Sequence, residues 1–465
     1  MSTLTLSLIS HTNVGKTTLA RTLTRRDVGE VFDQAHVTEV SEAYTLLDGE
    51  AGELRLWDTP GLGDTVRLVR RLKKSGNPIG WFLHEVWDRN LDRPLWCSQE
   101  ALRNVREDAD CVLYIINAAE TPEDAGYVGL ELDILKWIGR PTLAVLNQTG
   151  SVSGSSEKIE AEWRDYLRQH TIVRDVLSLD AFGRCWVQED LLFDRVAQVL
   201  DGDQRQTMEA LAEAWHQQNA EIFDRSMKLI AEELASTATD RETLPSVFPN
   251  NAQKEEAMAA LGKRFETREE KLWDAVIAAH GLEGKLANEA KQQIDSFCVM
   301  GEEALSPQKG AILGSMVSGA LGGLTADIMS GGLSFGGGLL AGTILGALGG
   351  AGLSHAMRFL KTGEEPTVTW SRELLDGLVE RLILRYLAIA HFGRGRGSFE
   401  EDETPSDWTQ SVRATLAAHK PRFAAHWDAA ESSPSPARIA QILNKDLRKA
   451  VVSILNHAYP ESKLR

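Results

Sequence analysis

The run Ser10-His-Thr-Asn-Val-Gly15-Lys16-Thr17-Thr18 sits between an apolar stretch, Leu4–Ile9, and a helix-forming Leu-Ala-Arg-Thr-Leu. That order suits the binding of phosphate. Backbone N–H groups from Asn13, Val14, Gly15 and Thr18 curl around the oxygens, and the helix N-terminus adds partial positive charge. Lys16 would reach the β- and γ-phosphates, and the Thr17 hydroxyl would complete a Mg²⁺ shell. Ser10 stands where the loop pattern carries its first glycine. About forty residues further on, Leu54-Arg-Leu-Trp-Asp58-Thr59-Pro60-Gly61 is a strand running into Asp-x-x-Gly. Asp58 would hold Mg²⁺ through water, and the Gly61 amide would bond the γ-phosphate. Alone, Asp-Thr-Pro-Gly reads equally well as a turn after a strand. Its spacing from the first loop gives it chemical meaning.

These residues need a scaffold that brings two strand ends together. Short apolar runs alternate with amphipathic stretches over the first 200 residues, the pattern of an α/β domain with a mainly parallel sheet. The expected strands are Leu4–Ile9, Ala43–Leu47, Leu54–Trp57, Cys111–Asn117, Thr142–Leu146 and Ile172–Leu177. From about Gln204 strand patterns vanish. Glu209–Leu234, Lys254–His280 and Ser371–His391 read as helices, with a loop at Ser236–Asn251 marked by Pro245 and Pro249. The expected architecture is a P-loop domain over 1–203, with an insert at about 62–108, followed by an all-α half. That half divides into a helical domain (204–307), a Gly-rich hydrophobic hairpin (308–361) and a C-terminal helical region (362–465).

Asn13-Val-Gly-Lys-Thr, Asp58-Thr-Pro-Gly-Leu62 and the strand Asp110-Cys-Val-Leu-Tyr-Ile-Ile-Asn-Ala resemble the Era-like branch of bacterial small GTPases. The C-terminal half, with Arg385-Tyr-Leu-Ala-Ile-Ala-His-Phe-Gly-Arg-Gly-Arg-Gly, resembles a bacterial GTPase family in which an uncharacterised domain follows the G domain. The resemblance implies binding and hydrolysis of GTP with Mg²⁺ as cofactor. It makes Thr38 the switch I residue that closes on Mg²⁺ and the γ-phosphate, with Thr45 as competitor. Catalysis would then rest on Lys16, Thr38 and Gly61, and the metal on Thr17, Thr38 and Asp58. Asn13 resembles the residue that helps potassium-activated GTPases hold K⁺ beside the phosphates, so K⁺ is a second candidate cofactor; a plain loop asparagine is the alternative.

Two positions depart from the family pattern. Asn147-Gln148-Thr149-Gly150 stands where Asn-Lys-x-Asp is usual. Asn147 and Gln148 would still meet the purine, but the carboxylate that accepts from guanine is replaced by Gly150. Ser178-Leu179-Asp180-Ala181 follows the sixth strand; its backbone would read guanine O6, and Asp180 could substitute in part. Leu62 occupies the place of a water-orienting Gln, which implies slow turnover without K⁺ or a partner. The open alternatives are an ATPase and a nucleotide-gated interaction module with little hydrolysis.

Trp81, Phe82, Trp87 and Trp96 accompany the basic run Arg67–Lys74 in the insert. They fit either a protein-partner surface or a subdomain packed over the sheet. Arg70 and Arg71 offer finger-like charges, although a solvated basic face accounts for them as well.

Gly310–Gly352 holds fifteen of the 39 glycines and one charge, Asp327. Gly338, Gly342, Gly346 and Gly350 fall four apart, which lets helices approach closely. The two arms, Gly310–Ala326 and Leu333–Met357, fit a membrane hairpin or a buried glycine-packed helical pair. Lys309, Arg358 and Lys361 flank them on one side.

Composition narrows the remaining choices. The 50 basic and 67 acidic side chains leave a net charge of −17, which argues against nucleic acid as partner. Four scattered cysteines (Cys97, Cys111, Cys185, Cys298) form neither a zinc motif nor a disulfide framework. With no signal peptide at Met1–Ala20, the expected location is the cytoplasm, with association to the inner membrane through 310–357. That stretch is also a candidate for self-association.

Overall fold

The computed structural model describes residues 2–25, 41–63, 65–73, 93–147, 154–179, 185–246, 250–282, 357–362, 365–391, 406–432, 435–462 and 464. The chain divides into two compact units, Met1–Ala220 with His391–Pro405, and Glu221–Ala390 with Ser406–Arg465.

The first unit is built on a six-stranded sheet in the order β2-β3-β1-β4-β5-β6. The strands are β1 (Thr3–Ser10), β2 (Glu42–Gly49), β3 (Gly52–Asp58), β4 (Cys111–Asn117), β5 (Thr142–Asn147) and β6 (Val173–Ser178). All neighbours pair in parallel except β2, which returns antiparallel to β3. Alternation along the strands sorts the core into two layers. Leu4, Leu6, Leu8, Leu113 and Ile115 face α1 (Lys16–Thr24), α6 (Trp186–Val199) and the start of α7 (Gly202–Thr239), where Phe193, Leu211 and Trp215 meet them. Ile9, Val112, Tyr114 and Ile116 face the opposite way. They pack with α2 (Thr65–Leu72), α3 (Arg93–Glu107), α4 (Tyr127–Ile138) and α5 (Gly154–Leu167) through Leu68, Leu102, Leu132 and Trp163. A strand buried on both faces reads as an unbroken apolar run, which is why Cys-Val-Leu-Tyr-Ile-Ile-Asn is so legible.

Helices α2 and α3 are the described ends of the expected insert, and both are bonded into the domain. Leu68, Leu72, Leu95, Leu102 and Val105 are buried, and Ser7 Oγ donates to Asn104 Oδ1 at 2.7 Å. Trp96 lies in α3; Trp81, Phe82 and Trp87 fall outside the described residues.

The second unit is largely helical, with the end of α7, α8 (Asn251–Ala279), α9 (Arg372–Ala390), α10 (Ser406–Ser432) and α11 (Pro436–Ala458). Asn250 caps α8 by accepting from the Gln253 N–H, and the Gln253 side chain returns the bond to the Asn250 N–H. Asp446 of α11 joins His426 and Arg422 of α10 at 2.8 and 3.1 Å.

Two expectations need correction here. The C-terminal half is not purely helical: β7 (Arg241–Thr243), β8 (Met357–Thr362) and β9 (Glu365–Trp370) form a three-stranded antiparallel sheet in the order β7-β9-β8. The Ser236–Asn251 loop is also shorter than expected, because α7 runs to Thr239 and β7 follows. A three-residue strand carries no periodicity, and Pro366 disguises the start of β9. Its Thr-Val-Thr-Trp end is β-branched and aromatic, as strands prefer. Among the described residues no helix is long and apolar enough to cross a membrane. The Gly-rich stretch, 310–356, lies outside them.

Candidate nucleotide site

The loop after β1 closes onto α1 through two left-handed residues. Asn13 (φ 63°) and Gly15 (φ 93°) make the bend, and Gly15 is the N-cap of α1. A Cβ on Gly15 would lie 2.7 Å from Asn147 Nδ2, so the glycine is required by conformation and by space. Asn147, buried at the end of β5, donates to the Val14 carbonyl at 2.8 Å and ties the loop to a third strand. Ser10 keeps the first-glycine position as a buried residue whose Oγ accepts from Lys16 Nζ at 3.0 Å.

Asp58 ends β3 opposite this loop. Thr17 Oγ1 donates to Asp58 Oδ2 at 2.6 Å, while Oδ1 is buried with no hydrogen-bond partner among the described residues. Burial pushes the Asp58 carboxyl up to about 6, against the opposing pull of Lys16 and Thr17. Burial likewise lowers the Lys16 ammonium, while Asp58 and Glu131 pull it back up. A buried carboxylate oxygen without a partner among the described residues, on a carboxylate bonded to a hydroxyl, makes with that hydroxyl a hard-donor pair that suits a Mg²⁺ ion.

Gly61 passes close against the first loop; a Cβ there would fall 2.9 Å from Thr12 Cα. The next residue, Leu62, donates its N–H to the Ser10 carbonyl at 2.9 Å and bridges to His11. Its side chain is fully buried with Ile9, Leu68, Val69 and Leu72. Ser98 of α3 fixes the following turn by accepting from the Gly63 N–H at 3.2 Å.

Sequence reasoning passed over a carboxylate beneath these loops. Glu131, fully buried on α4, meets His11 Nδ1 at 2.8 Å and accepts from Thr65 Oγ1 at 2.9 Å on one oxygen, and from the Tyr114 hydroxyl at 2.7 Å on the other. The His11 ring stacks on Tyr127 at 4.2 Å. The available signal was an acid on the apolar stripe of α4, between Val128, Leu132 and Leu135.

The structure thus brings Asn13, Val14, Gly15, Lys16, Thr17, Thr18, Asp58, Gly61 and Asn147 around the ends of three strands, β1, β3 and β5. Ser178 and Leu179 follow the neighbouring strand. Leu179 N–H donates to the Leu146 carbonyl at 2.8 Å, and the Ser178 hydroxyl is buried with no partner among the described residues. Thr38, Gln148, Gly150, Asp180 and Ala181 lie outside the described residues. Thr45 sits on β2, donating to Glu53 at 3.1 Å.

A loop of this form at the C-terminal end of a central parallel strand, facing an Asp-x-x-Gly strand end, defines a P-loop GTPase domain, and residues 5–148 match a family model described as "50S ribosome-binding GTPase". Residues 169–452, more than half of the chain, match the model described as "Domain of unknown function (DUF3482)", and the chain belongs to that family. Similar solved structures include Era in complex with MgGDPNP and nucleotides of 16S ribosomal RNA, with 18% identity over 43% of this chain and 58% of that one at a TM-score of 0.33. An Era variant from Aquifex aeolicus bound to GDP·AlF4⁻ has 14% identity over 58% of this chain and 90% of its own, at 0.32. A GTP-binding protein from Sulfolobus solfataricus in complex with GDP has 18% identity over 42% and 52%, at 0.28. The chain thus spans little more than half the length of the first and third of these. Comparison with curated proteins gives no match.

Proposed function

We propose that this protein binds GTP with Mg²⁺ and hydrolyses it to GDP and phosphate, as a switch whose state the helical half reads. The observation that carries this reading is the convergence of Lys16, Thr17 and Asp58, with Asn147 bracing the loop from a third strand. Lys16 neutralises charge that develops on the phosphate oxygens, and the loop amides orient them. Thr17 and Asp58 would hold Mg²⁺, with Thr38 as the third ligand; the bound ion would supply charge neutralisation between the β- and γ-phosphates. The Gly61 backbone, packed against Thr12, would bond the γ-phosphate through its amide. Base reading rests on Asn147 and Gln148 with Ser178–Ala181, and the buried Ser178 hydroxyl, without a partner among the described residues, supports a ligand there. Asn13 is the candidate K⁺ contact.

The Gly-rich stretch 310–357 would couple the switch to the inner membrane or to self-assembly, and the insert would carry a protein partner. Deleting 310–357 is the test of membrane coupling. The full-length protein should sediment with membranes and the deletion variant should not; full-length protein recovered wholly without detergent rejects the coupling.

The burial of Leu62 favours a second reading, a nucleotide-gated interaction module with little turnover. An apolar side chain locked in the core cannot orient water. Leu62→Gln should therefore leave turnover unchanged and lower stability by about 2–4 kcal/mol, because the amide is buried without partners. Urea unfolding and a phosphate-release assay check both; a tenfold faster turnover at unchanged stability would make Leu62 the missing catalytic position.

The deciding experiment is equilibrium binding of GTP, GDP and ATP with Mg²⁺, in K⁺ and in Na⁺ buffer. Strong preference for guanine nucleotides supports the switch. Equal or better ATP binding means that Gly150 marks a real loss of guanine reading. Asp58→Ala should reduce the Mg²⁺-dependent part of the affinity by about 10–100-fold, leaving binding in chelator little changed. An unaltered magnesium titration would remove Asp58 from the metal site.

A further inference from the structure

We infer that Glu131 is a positioning residue that couples the segment after Gly61 to the phosphate loop, so that it sets the preference for triphosphate over diphosphate. This rests on the nucleotide-switch reading above. Two of the groups on Glu131 meet a single oxygen. Oε1 takes His11 Nδ1 at 2.8 Å and Thr65 Oγ1 at 2.9 Å. His11 belongs to the phosphate loop, which grips a nucleotide in either state. Thr65 opens α2, four residues beyond Gly61, the position expected to respond to the γ-phosphate. One fully buried atom therefore joins a fixed loop to a state-sensing one.

The arrangement is costly unless it is used or fully satisfied. A buried carboxylate is tolerated only when hydrogen bonds and opposite charge compensate its desolvation. Here Tyr114 donates to the second oxygen from β4, and the Lys16 ammonium lies within electrostatic reach. Thr65 itself is buried, which leaves it little freedom to find another partner, and the His11 ring is stacked on Tyr127. The backbone bridge between His11 and Leu62 brings the same two loops together from above. When the segment after Gly61 moves, the Thr65 bond to Glu131 must stretch or break while the His11 bond persists.

The test measures affinities for GDP and for a non-hydrolysable GTP analogue in wild type, Thr65→Val, Glu131→Gln and Tyr114→Phe. The ratio is the readout, because Glu131→Gln also alters the surroundings of Lys16 and weakens both nucleotides. Thr65→Val and Glu131→Gln should each change the analogue-to-GDP ratio by roughly five- to tenfold, the lower end of couplings between two sites. Tyr114→Phe, which removes only the hydroxyl on the other oxygen, should lower the melting temperature and leave the ratio within about twofold. A ratio unmoved in Thr65→Val and Glu131→Gln, or moved equally in Tyr114→Phe, overturns the positioning role. Failure of the wild type to bind either nucleotide overturns the reading of the site itself, and this inference with it.

Discussion

Lys16→Ala is expected to reduce affinity for GTP and GDP by at least about a hundredfold, corresponding to some 3 kcal/mol. The reason is more than one lost contact. Lys16 is buried with Nζ on the Ser10 hydroxyl, and its charge is what opposes the upward push of burial on Asp58. Without the ammonium the Asp58 carboxyl would rise above about 6, and a larger share would be protonated and unable to serve a metal at neutral pH. Phosphate and metal binding should therefore fail together. The nucleotide-free protein should respond as well. Alanine removes the desolvation cost of the ammonium but leaves the buried Asp58 and Glu131 carboxylates without its charge, so the melting temperature should fall while the fold persists. Isothermal titration beside a thermal melt checks both halves. Affinity retained within threefold would remove Lys16 from the phosphate site, whereas a collapsed melt would make its role structural.

That result would bear on residues that were legible because their meaning is local. Gly15, Lys16 and Thr17 are adjacent, and Asp58 ends a strand with a clear alternation. Only the strand pairing that brings Asp58 to Thr17 lies between sequence and site, and the parallel register of β1 with β3 supplies it. Glu131 is the opposite case. Its partners stand 17, 66 and 120 residues away, on β4, α2 and the phosphate loop, so no spacing rule could collect them. Leu62 falls between. Its apolar character was plain, but its burial with Leu68 and Leu72 depends on how α2 packs. In the second unit the long helices were readable from composition, while the small sheet was not: β7 has three residues and pairs Arg241 with Thr369 across the Gly-rich stretch, and β9 carries Pro366 at its start.

The same kind of long-range pairing underlies the largest stability effect expected. Glu269 of α8 is buried and accepts from Arg381 at 2.9 and 3.1 Å and from Arg385 at 2.6 Å, both on α9. Burial would raise its carboxyl, but the two guanidiniums outweigh burial and hold it below the usual range. The Arg385 guanidinium also lies over the Trp273 ring at 5.6 Å. Glu269→Ala would leave the buried Arg385 and the part-buried Arg381 without their shared carboxylate, at a cost of about 3–5 kcal/mol. Glu269→Gln should cost less, since the amide oxygen still accepts. Because the folded carboxyl sits below its unfolded value, its contribution is present above the ordinary carboxylate range and is lost as pH falls through the lowered value. Urea unfolding of wild type and both variants at pH 7 and under acid conditions checks this. The gap between wild type and alanine should narrow in acid; a gap below 1 kcal/mol at pH 7 would mean that the arginines find other partners. In sequence the Gly-rich stretch falls between α8 and α9. It is followed by β8 and β9 before α9 begins, and the Glu269 carboxylate is one of the contacts that join α8 to α9.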